Sequence, residues 1–429
     1  MQVFQLEKAG NGKNDVNQWW ENTCVPVSTQ AGKKRTAANR NLHKQGKKIV
    51  FTTGSFEVVT PGHCRFLAEA RACGDVLVVG LCSDRSISKL KGPDYPLLNQ
   101  DARSEMLTYL RSVDYVTVVD EGEPHATIVL LAPDIFYTNT KELENGNVDE
   151  QAEFLLKRAG GKLVVCEDHN PYKSARDLIE HVADLRFTEI VASYLWSKHI
   201  AFGLDSVPNF KPADYGDQTP QDRKAFNPAE FIYKDKAVLE AFIQERARLG
   251  WTTKAKLVFV SGSYDLLHVG HARFVEKASL LGDFLLVGIP SDAKIKAMKG
   301  YGRPIISEYS RAYVLASLDF VDGVYIFDDF TVADTLATLK PNVFFTVAEE
   351  WNSGLKQSPE YKIVRKSGGR VVTAPRQSPF LSSSSMINRM AAKKVKDIFK
   401  ECMDEDKIKL MQREGSKFKL HAESDVKKT

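Results

Sequence analysis

The stretch FVSGSYDLLHVGHARFVEKASLLGDFLLVGIPSD (Phe259–Asp292) occurs twice in this chain. A shift of 208 residues aligns it with FTTGSFEVVTPGHCRFLAEARACGDVLVVGLCSD (Phe51–Asp84), and the alignment runs on to Arg103 and Arg311 with 20 identities in 53 pairs and no gap. Chance would give about 3 identities at ordinary residue frequencies. The sequence therefore predicts two homologous domains in tandem.

Each repeat has the order strand, loop, helix, strand. In the second repeat, KLVFV (Lys256–Val260) and DFLLVGI (Asp283–Ile289) are continuous apolar runs, which are typical of strands buried on both faces of a parallel sheet. Apolar residues recur between them at helical spacing, and Gly282 follows where a left-handed C-terminal cap is expected. The pattern predicts an α/β fold of two doubly wound, Rossmann-like parallel-sheet domains.

The composition is that of an ordinary globular protein. Of the 429 residues, 43% are hydrophobic and 27% charged, which fits neither a coiled coil nor wholesale disorder. The formal net charge of +4 does not demand nucleic acid as a partner. No apolar run approaches the ~20 residues of a membrane-spanning helix. Six cysteines without a C-x-x-C pair suit a reducing compartment, so we expect a cytoplasmic protein.

Composition shifts predict the domain boundaries. We expect a basic N-terminal arm over residues 1–46, a first domain over 47–186, a linker over 187–254, a second domain over 255–394 and a charged tail over 395–429. The aromatic residues of the linker predict that it packs partly on the domains. The charges of the arm and tail are not interleaved with aromatic residues, so we interpret both as solvated surfaces rather than nucleic-acid contacts.

The candidate ligand site is the loop Gly262–His271, because ligands of doubly wound sheets bind beyond the carboxyl ends of the strands. His268 and His271 stand three residues apart where the helix begins, so both imidazoles are expected on one face of its first turn. Free N–H groups and the helix dipole favour an anion there. Gly270 leaves room for a phosphate, and Gly262 lets the backbone turn out of the strand. The pattern predicts a polyphosphate site.

The motif G-S-Y-D followed by H-V-G-H, with the Lys299-Gly300 pair and Arg311, resembles the cytidylyltransferase-like family of nucleotidyltransferases. The stretch KGYGRPIISEYSRAYVLASLDFVDGVYIFDD is similar to the heptose-phosphate adenylyltransferase branch, whereas tandem duplication is the arrangement of phosphoethanolamine cytidylyltransferase. Where the heptose branch has a lysine- and glycine-rich segment, the repeats have PNVFFTVAEEW (Pro341–Trp351) and PDIFYTNTKEL (Pro133–Leu143). The two similarities point to different substrates.

The resemblance implies a nucleotidyltransferase that moves a nucleoside monophosphate from CTP or ATP to a phosphorylated small alcohol or sugar and releases pyrophosphate. It implies that His268, His271 and Lys299 are catalytic. The nucleotide-binding residues that it implies are Gly262, Ser263, Tyr264, Asp265, Gly270, Arg311, Ser382, Ser383, Ser384 and Ser385. Mg²⁺ would be bound through the nucleotide phosphates, with no metal-ligand cluster on the protein.

The reaction needs no nucleophile from the protein, since a phosphate oxygen of the acceptor can attack the α-phosphorus in line. The enzyme must supply alignment and positive charge around the transition state and the leaving pyrophosphate. We expect His268, His271 and Lys299 to supply that charge. Lys299 lies in MKGYGRP, a segment with glycines and no clear periodicity, which we interpret as a mobile loop that closes over the phosphates.

The first repeat departs from the motif, because Thr60 replaces the first histidine and Glu57 stands where the second repeat has Asp265. Of the serine run only Ser174 is kept. We therefore expect a second site that is weakened or regulatory rather than fully active. Its residues are Gly54, Ser55, Phe56, Thr60, Gly62, His63, Lys91 and Arg103.

Two other classes of protein fit part of the pattern. A class I aminoacyl-tRNA synthetase carries an H-x-G-H motif, but AMKGYGRP lacks its lysine-serine loop and a duplicated domain does not fit. A catalytically inactive nucleotide-binding regulator would keep the phosphate site without turnover. The sequence leaves open the acceptor and the choice between CTP and ATP. Members of this family dimerise through the domain, so the repeat predicts an internal pseudo-dimer. The sequence also leaves open a homo-oligomer of the whole chain.

Overall fold

The structure is a computed structural model that describes residues 24–26, 45–120, 124–139, 150–166, 178, 182, 225–248, 256–300, 302–328, 332–351, 354–377, 386–388 and 391–392. The chain divides into two compact units. The first consists of Met1–Ala175 and Phe210–Ser383, and it holds both sheets. The second consists of Arg176–Asn209 and Ser384–Thr429.

The first repeat forms a six-stranded sheet with helices between its strands. Its elements are β1 (Cys24–Pro26), β2 (Ile49–Gly54), α1 (Pro61–Ala72), β3 (Val76–Cys82), α2 (Asp84–Lys91), α3 (Gln100–Thr108), β4 (Tyr115–Val119), α4 (His125–Leu131), β5 (Ile135–Asn139), α5 (Glu150–Arg158) and β6 (Lys162–Cys166). The strand order is β1-β4-β3-β2-β5-β6. Only the β1–β4 pair of this sheet is antiparallel within the described residues.

The second repeat forms a second six-stranded sheet, in the order β12-β11-β8-β9-β10-β7, with parallel pairing throughout. Its elements are β7 (Ile232–Tyr233), α6 (Lys236–Arg248), β8 (Leu257–Ser261), α7 (Val269–Ser279), β9 (Phe284–Pro290), α8 (Asp292–Lys299), α9 (Glu308–Ala316), β10 (Gly323–Phe327), α10 (Ala333–Leu339), β11 (Val343–Val347), α11 (Pro359–Lys366) and β12 (Arg370–Ala374). Short 3₁₀ helices lie at Pro228–Phe231, Ala348–Glu350 and Leu355–Gln357.

The predicted fold class is confirmed, and the strand order locates the ligand crevice. In each sheet the first and fourth strands of the repeat are neighbours, β2 beside β5 and β8 beside β11, so the order of strands reverses between them. Ligands of such sheets bind beyond the carboxyl ends of the strands at this reversal. The segments that follow β8 and β11 therefore face the same crevice.

The apolar runs reflect burial of the strands on both faces. In β8, Val258 and Val260 belong to one hydrophobic cluster, and Phe259, which points to the opposite face, belongs to another. All three side chains are fully buried. Because helices cover both faces of a parallel sheet, alternation of polar and apolar residues is absent from these strands.

Gly282 is not the left-handed helix cap that the sequence predicted. Helix α7 ends earlier, with Leu280 as its C-cap, and Gly282 is not among the described glycines with positive φ. A Cβ at Gly282 would lie 2.6 Å from the carbonyl oxygen of Lys256 and 2.6 Å from the side chain of Val258. Close approach to the start of β8, rather than backbone conformation, therefore requires glycine at this position.

The two repeats pack around a pseudo-twofold axis. Leu110 and Leu318, which are equivalent positions of the two repeats, form an antiparallel bridge. Main-chain hydrogen bonds of 2.9 Å flank this bridge, from the N–H of Arg111 to Ser317 and from the N–H of Asp319 to Tyr109. The bonds are reciprocal, as in an isologous dimer. One hydrophobic cluster extends through both repeats, which is the packing that an internal pseudo-dimer requires.

Part of the expected linker packs at this interface. The guanidinium of Arg111 donates to the carbonyl of Val321 at 3.0 Å and lies 4.8 Å from the ring centre of Phe226 and 5.7 Å from that of Phe231. Both phenylalanines precede β7, which adds an edge strand to the second sheet. The linker thus contributes to the folded unit, while the exact domain boundaries stay predictions.

Several other predictions concern regions of which little is described. Most of the arm 1–46 and the whole tail 395–429 lie outside the described residues, so their interpretation stays a prediction. No helix in the described part of the chain is long and apolar enough to cross a membrane. Within the described residues, Cys64, Cys73, Cys82 and Cys166 form no disulfide bond.

Candidate active site

The motif loop passes from β8 into α7 through strained backbone. Tyr264 and Leu266 have φ angles of 47° and 56°, in the left-handed region that residues with a side chain rarely adopt. Such conformations cluster at functional sites, where the surrounding structure holds them. Gly262, expected to permit a tight turn, has no positive φ. It is needed because a Cβ there would lie 3.0 Å from the ring of Tyr264.

The two motif histidines stack on each other at the start of α7. His268 is the N-cap residue, and its Nδ1 accepts the N–H of Gly270 at 3.2 Å. Because Nδ1 accepts, the neutral ring carries its proton on Nε2. The ring of His271 lies 3.9 Å away between centroids, with the planes 24° apart. The sequence placed both imidazoles on one face, and the structure brings them into contact.

Two ring nitrogens of this pair are buried without a partner. Nε2 of His268 and Nδ1 of His271 make no hydrogen bond to any described residue. Buried polar atoms are almost always hydrogen-bonded in folded proteins. Two such atoms on adjacent rings, at a helix N-terminus and beside the strand reversal, therefore indicate the place of a ligand with hydrogen-bonding oxygens.

Both imidazoles are neutral at pH 7 in the unliganded protein. Burial lowers the pKa of His268 to about 4. Burial also lowers the pKa of His271 well below its usual 6.5, and the neighbouring His268 and Lys299 lower it further. The expectation that these histidines carry positive charge does not hold here, because desolvation favours the neutral ring. A neutral ring still donates one hydrogen bond.

Lys299 is the last residue of α8, not part of a loop as the sequence predicted. Gly300 follows as the C-cap, with φ 83°, so the glycine that suggested a loop ends a helix instead. The side chain of Lys299 is exposed, and among the described residues it has no hydrogen bond or ion pair. Desolvation by the surrounding protein lowers the pKa of Lys299, while the charge of Asp265 opposes that shift. Its ammonium is thus near the motif loop and available to an anion.

Asp265 holds the motif loop against the segment that follows α8. Its buried carboxylate accepts the backbone N–H groups of Ile305 and Ile306, each at 3.0 Å, and the guanidinium of Arg303 at 3.1 Å. These contacts use its acceptor oxygens within the protein. Asp265 therefore positions the motif loop and Arg303. Of these groups, Arg303 was not predicted from the sequence.

Arg311 is buried and bonded to the protein rather than free for a nucleotide. Its guanidinium donates to the carbonyls of Ile306, Ser263 and Pro290 at 2.8 to 3.0 Å and pairs with Asp292 at 2.9 Å. Only 2% of the residue is exposed. The structure thus gives Arg311 a different role from the one implied by the resemblance, since it shapes the backbone of the motif loop through the Ser263 carbonyl.

The segments after β11 and β12 bring further charges to the crevice, Glu350 from the first and Arg376 from the second. The carboxylate of Glu350 interacts electrostatically with Lys299 and Tyr264, and Arg376 is near enough to His271 to lower its pKa. Glu350 and Arg376 pair at 3.8 Å. Neither residue was predicted from the sequence. The rule that crevices open where strand order reverses would have drawn attention to Glu350, which follows the fourth strand, but not to Arg376.

The remaining predicted residues of the second repeat fall into two groups. Gly270 is buried in the first turn of α7, and the ring of Tyr264 contacts His271 edge-on at 5.4 Å. The run Ser382–Ser385 lies outside the described residues, so its nucleotide-binding role stays a prediction.

In the first repeat, the groups that match the expected catalytic residues bond to other groups of the same repeat. Lys91 pairs with the buried carboxylate of Glu57 at 2.7 Å and lies 3.3 Å from the hydroxyl of Ser55. Nδ1 of His63 lies 3.2 Å from the N–H of Thr60 and 3.1 Å from its hydroxyl, forming a capping box at the start of α1. Burial lowers the pKa of His63 to about 4.

The rest of the first site copies the framework of the second. Arg103 is 1% exposed and donates to the carbonyls of Leu98, Ser55 and Cys82, as Arg311 does to their equivalents. A Cβ at Gly54 would lie 2.7 Å from the ring of Phe56, which has φ 42°. Gly62 is the second residue of α1. The framework is retained, but the polar groups are satisfied within the protein.

Comparison with known proteins gives a match to the family model described as cytidylyltransferase-like. The model matches residues 51–174 and 259–390, which together are more than half of the chain. These two regions contain the two motif loops.

Curated relatives resemble this chain to different extents. An ethanolamine-phosphate cytidylyltransferase of Arabidopsis thaliana is 26% identical over 370 residues, covering 82% of each chain. The bifunctional protein HldE of Aliarcobacter butzleri is 49% identical over 94 residues, which is 22% of this chain and 20% of that protein. HldE of Pelobacter propionicus is 37% identical over 147 residues, which is 34% of this chain and 29% of that protein. The chain therefore spans less than a third of these bacterial relatives.

Proposed function

The chain belongs to the cytidylyltransferase-like family, and from this premise we propose that it is a nucleotidyltransferase whose working site is in the second repeat. It transfers a nucleoside monophosphate from CTP or ATP to a phosphorylated small alcohol or sugar. A phosphate oxygen of the acceptor attacks the α-phosphorus, the bond to the bridging oxygen of the β-phosphate breaks, and pyrophosphate leaves with that electron pair. No proton has to move in this step.

The observation that carries the proposal is the pair of stacked imidazoles, each with a buried and unpartnered nitrogen, at the N-terminus of α7. A neutral imidazole that donates from Nε2 suits a phosphate oxygen, and the free N–H groups of a helix start suit another. Lys299 adds the positive charge that the histidines lack in the unliganded protein. Donors that are already in place cost little reorganisation when charge develops on the leaving group.

We propose Mg²⁺ as the metal, held by the nucleotide phosphates. The described residues contain no group of three His, Cys, Asp or Glu that could hold a metal ion. The carboxylates nearest the site, Asp265 and Glu350, already face Arg303 and Arg376. When bound, the metal would neutralise phosphate charge and stabilise the leaving pyrophosphate.

Similarity over 82% of both chains to the Arabidopsis ethanolamine-phosphate cytidylyltransferase supports a phosphorylated alcohol and CTP. The closer but local similarity to HldE supports the sugar-phosphate alternative. We keep both acceptor classes in the proposal. The cytoplasmic location predicted from the cysteine pattern is likewise part of the proposal, and the four described cysteines that form no disulfide are in keeping with it.

The proposal is tested by mixing the protein with each of the four nucleoside triphosphates, Mg²⁺, and a pool of phosphorylated alcohols and sugars. We expect pyrophosphate to appear with one nucleotide, and only in the presence of the pool. Thermal stabilisation by each nucleotide, measured in parallel, identifies the base: a ligand at 100 times its Kd adds about 2.7 kcal/mol to the free energy of unfolding. Stabilisation without pyrophosphate would instead support the catalytically inactive, nucleotide-binding regulator.

A further inference from the structure

The helix that begins with the two motif histidines receives an ion pair from the other repeat. Arg273, on the first turns of α7, donates from Nε to Oε1 of Glu105 at 2.6 Å and from a terminal nitrogen to Oε2 at 2.5 Å. Glu105 belongs to α3 of the first repeat, and α3 packs against α7 across the interface. A bidentate arginine–carboxylate pair restricts both the distance and the orientation of the groups that it joins.

Glu105 is itself held in place by its own repeat. The hydroxyl of Tyr109, at the C-cap of α3, donates to Oε1 of Glu105 at 2.9 Å. Burial raises the pKa of Tyr109, so its hydroxyl stays protonated and keeps donating. Two residues before Glu105, Arg103 donates to the carbonyls of Leu98, Ser55 and Cys82, of which Ser55 lies in the first motif loop. The carboxylate is therefore presented from a rigid part of the first repeat.

The pseudo-twofold axis provides an internal comparison, because the symmetric contact lacks this ion pair. Helix α9 packs against α1 in the same way as α3 packs against α7. There Tyr313 stands at the position equivalent to Glu105, and Arg65, equivalent to Arg273, pairs with Glu69 of its own helix at 3.1 Å. The described ion pair of Arg65 thus stays within its own helix, whereas that of Arg273, on the helix carrying both histidines, crosses the interface.

We propose that Glu105 of the first repeat is a positioning residue for the catalytic site of the second, acting through Arg273 on the orientation of α7. This inference rests on the proposed function of the second repeat. Arg273 is two residues after His271, so a rotation or shift of α7 would move both imidazoles. A displacement of about 1 Å at reacting groups can cost as much as about a hundredfold in rate.

Stability alone does not account for the pair. The side chains of Arg273 and Glu105 are 41% and 26% exposed. Ion pairs that are this accessible contribute little to the free energy of unfolding. What the pair does provide is a geometric restraint between a repeat whose own site is internally bonded and the helix that bears the stacked histidines. The first repeat would thus serve the reaction without binding its substrates.

The test compares Glu105→Gln with Glu69→Gln, which makes the same change in the Arg65–Glu69 pair of the first repeat. We expect Glu105→Gln to lower kcat on the order of tenfold with little change in the KM for nucleotide, as loss of alignment predicts. Hydrogen exchange of peptides covering the first turn of α7 should become severalfold faster. Glu69→Gln should change neither kcat nor the hydrogen exchange of these peptides. Glu105→Asp, which keeps the charge, should recover part of the loss.

A double variant completes the design. Arg273→Gln should reproduce the effect of Glu105→Gln, and combining the two should add almost nothing, because both remove the same interaction. Wild-type exchange at α7 in Glu105→Gln, or equal losses in Glu69→Gln, would overturn the inference. A protein that forms no pyrophosphate with any nucleotide would refute the proposed function instead, and the exchange measurement would still decide the role of Glu105.

Discussion

Burial of His271 has two consequences for the chemistry at this residue. It keeps the ring against His268 and removes its charge, since both rings have lowered pKa values. A ring in this position is a preorganised hydrogen-bond donor, and its value lies in being in place before charge develops. The positive charge of the site is left to the exposed ammonium and guanidinium groups around the crevice.

We expect His271→Ala to lower kcat by about 10²–10³, the size found for loss of one preorganised donor. His63→Ala is the matched control, because His63 is the equivalent residue of the first repeat and its ring is used in the capping box with Thr60. It should leave turnover nearly unchanged. Steady-state pyrophosphate release measures both, and an inactive His63→Ala with an active His271→Ala would reverse the assignment of the working repeat.

Lys299 should act mainly on the transition state. Its ammonium has no partner among the described residues, so it is free to follow negative charge as that charge moves toward pyrophosphate. Lys299→Ala should therefore lower kcat more than it weakens nucleotide binding. Calorimetry for binding, beside steady-state rates, distinguishes the two. The control is Lys91→Ala, whose ammonium is paired with Glu57. A loss confined to affinity in Lys299→Ala would exclude a transition-state role.

The buried histidines should make folding stability depend on pH. The pKa values of His63 and His268 are lowered to about 4, while an unfolded chain has the ordinary 6.5. Between these values the unfolded chain binds protons that the folded chain does not, so stability is complete above pH 6.5 and falls as the pH falls toward 4. The lowered pKa of each histidine should contribute on the order of 3 kcal/mol to the free energy of unfolding above pH 6.5. Urea unfolding between pH 4 and 6.5 tests this pH dependence. As the pH falls, the free energy of unfolding should decline less in His63→Asn than in the wild type. A wild-type free energy that does not change with pH would contradict the expectation.

At the level of single elements, close packing explains why two equivalent positions of the repeats require glycine. Gly282 faces a carbonyl oxygen and a valine at 2.6 Å, and its equivalent Gly74 faces Val50 and the carbonyl of Lys48 at 2.7 and 2.8 Å. In both repeats the segment between helix and second strand therefore runs against the start of the first strand. This contact holds the segment after α7 against the start of β8.

Gly282→Ala should therefore destabilise the protein by about 1–3 kcal/mol, the usual cost of overpacking. Gly354→Ala is the control, because a Cβ there would meet only the carbonyl of Trp351 at an ordinary 3.5 Å. We expect it to change the free energy of unfolding little. Urea denaturation of the two variants gives the comparison, and equal stabilities would show that the strand start can move aside.

The two repeats form a pseudo-dimer, and we propose that only the site of the second repeat is open to a nucleotide. The two repeats share a core and reciprocal main-chain bonds, but the charges of the first site bond to one another. We expect isothermal titration calorimetry to find one nucleotide per chain. His271→Ala or Lys299→Ala should weaken that single binding event, whereas Lys91→Ala should not. Two equivalent binding events per chain would contradict the internal pairing seen in the first repeat.

The duplication, the class of the fold, the apolar strands and the motif loop could all be predicted from the sequence. Each depends on local order along the chain: identities at a constant offset, apolar runs, and a motif in which His268 and His271 are three residues apart. Neighbours in sequence are neighbours in space within one helical turn, so the stacking of these two rings follows almost directly from their spacing.

Tertiary structure alone decided which charged groups of the motif remain available to a ligand. Arg311 and Lys299 are both cations of the motif, yet folding buries the first among carbonyls and leaves the second exposed. Lys91 matches Lys299 in sequence, but the longer carboxylate at Glu57 reaches it, whereas Asp265 bonds to the next segment instead. Glu350, Arg376 and the Glu105–Arg273 pair come from distant parts of the chain. Their charges meet only because strand order and the pseudo-twofold packing bring them together, and burial and pairing depend on such long-range contacts rather than on local sequence.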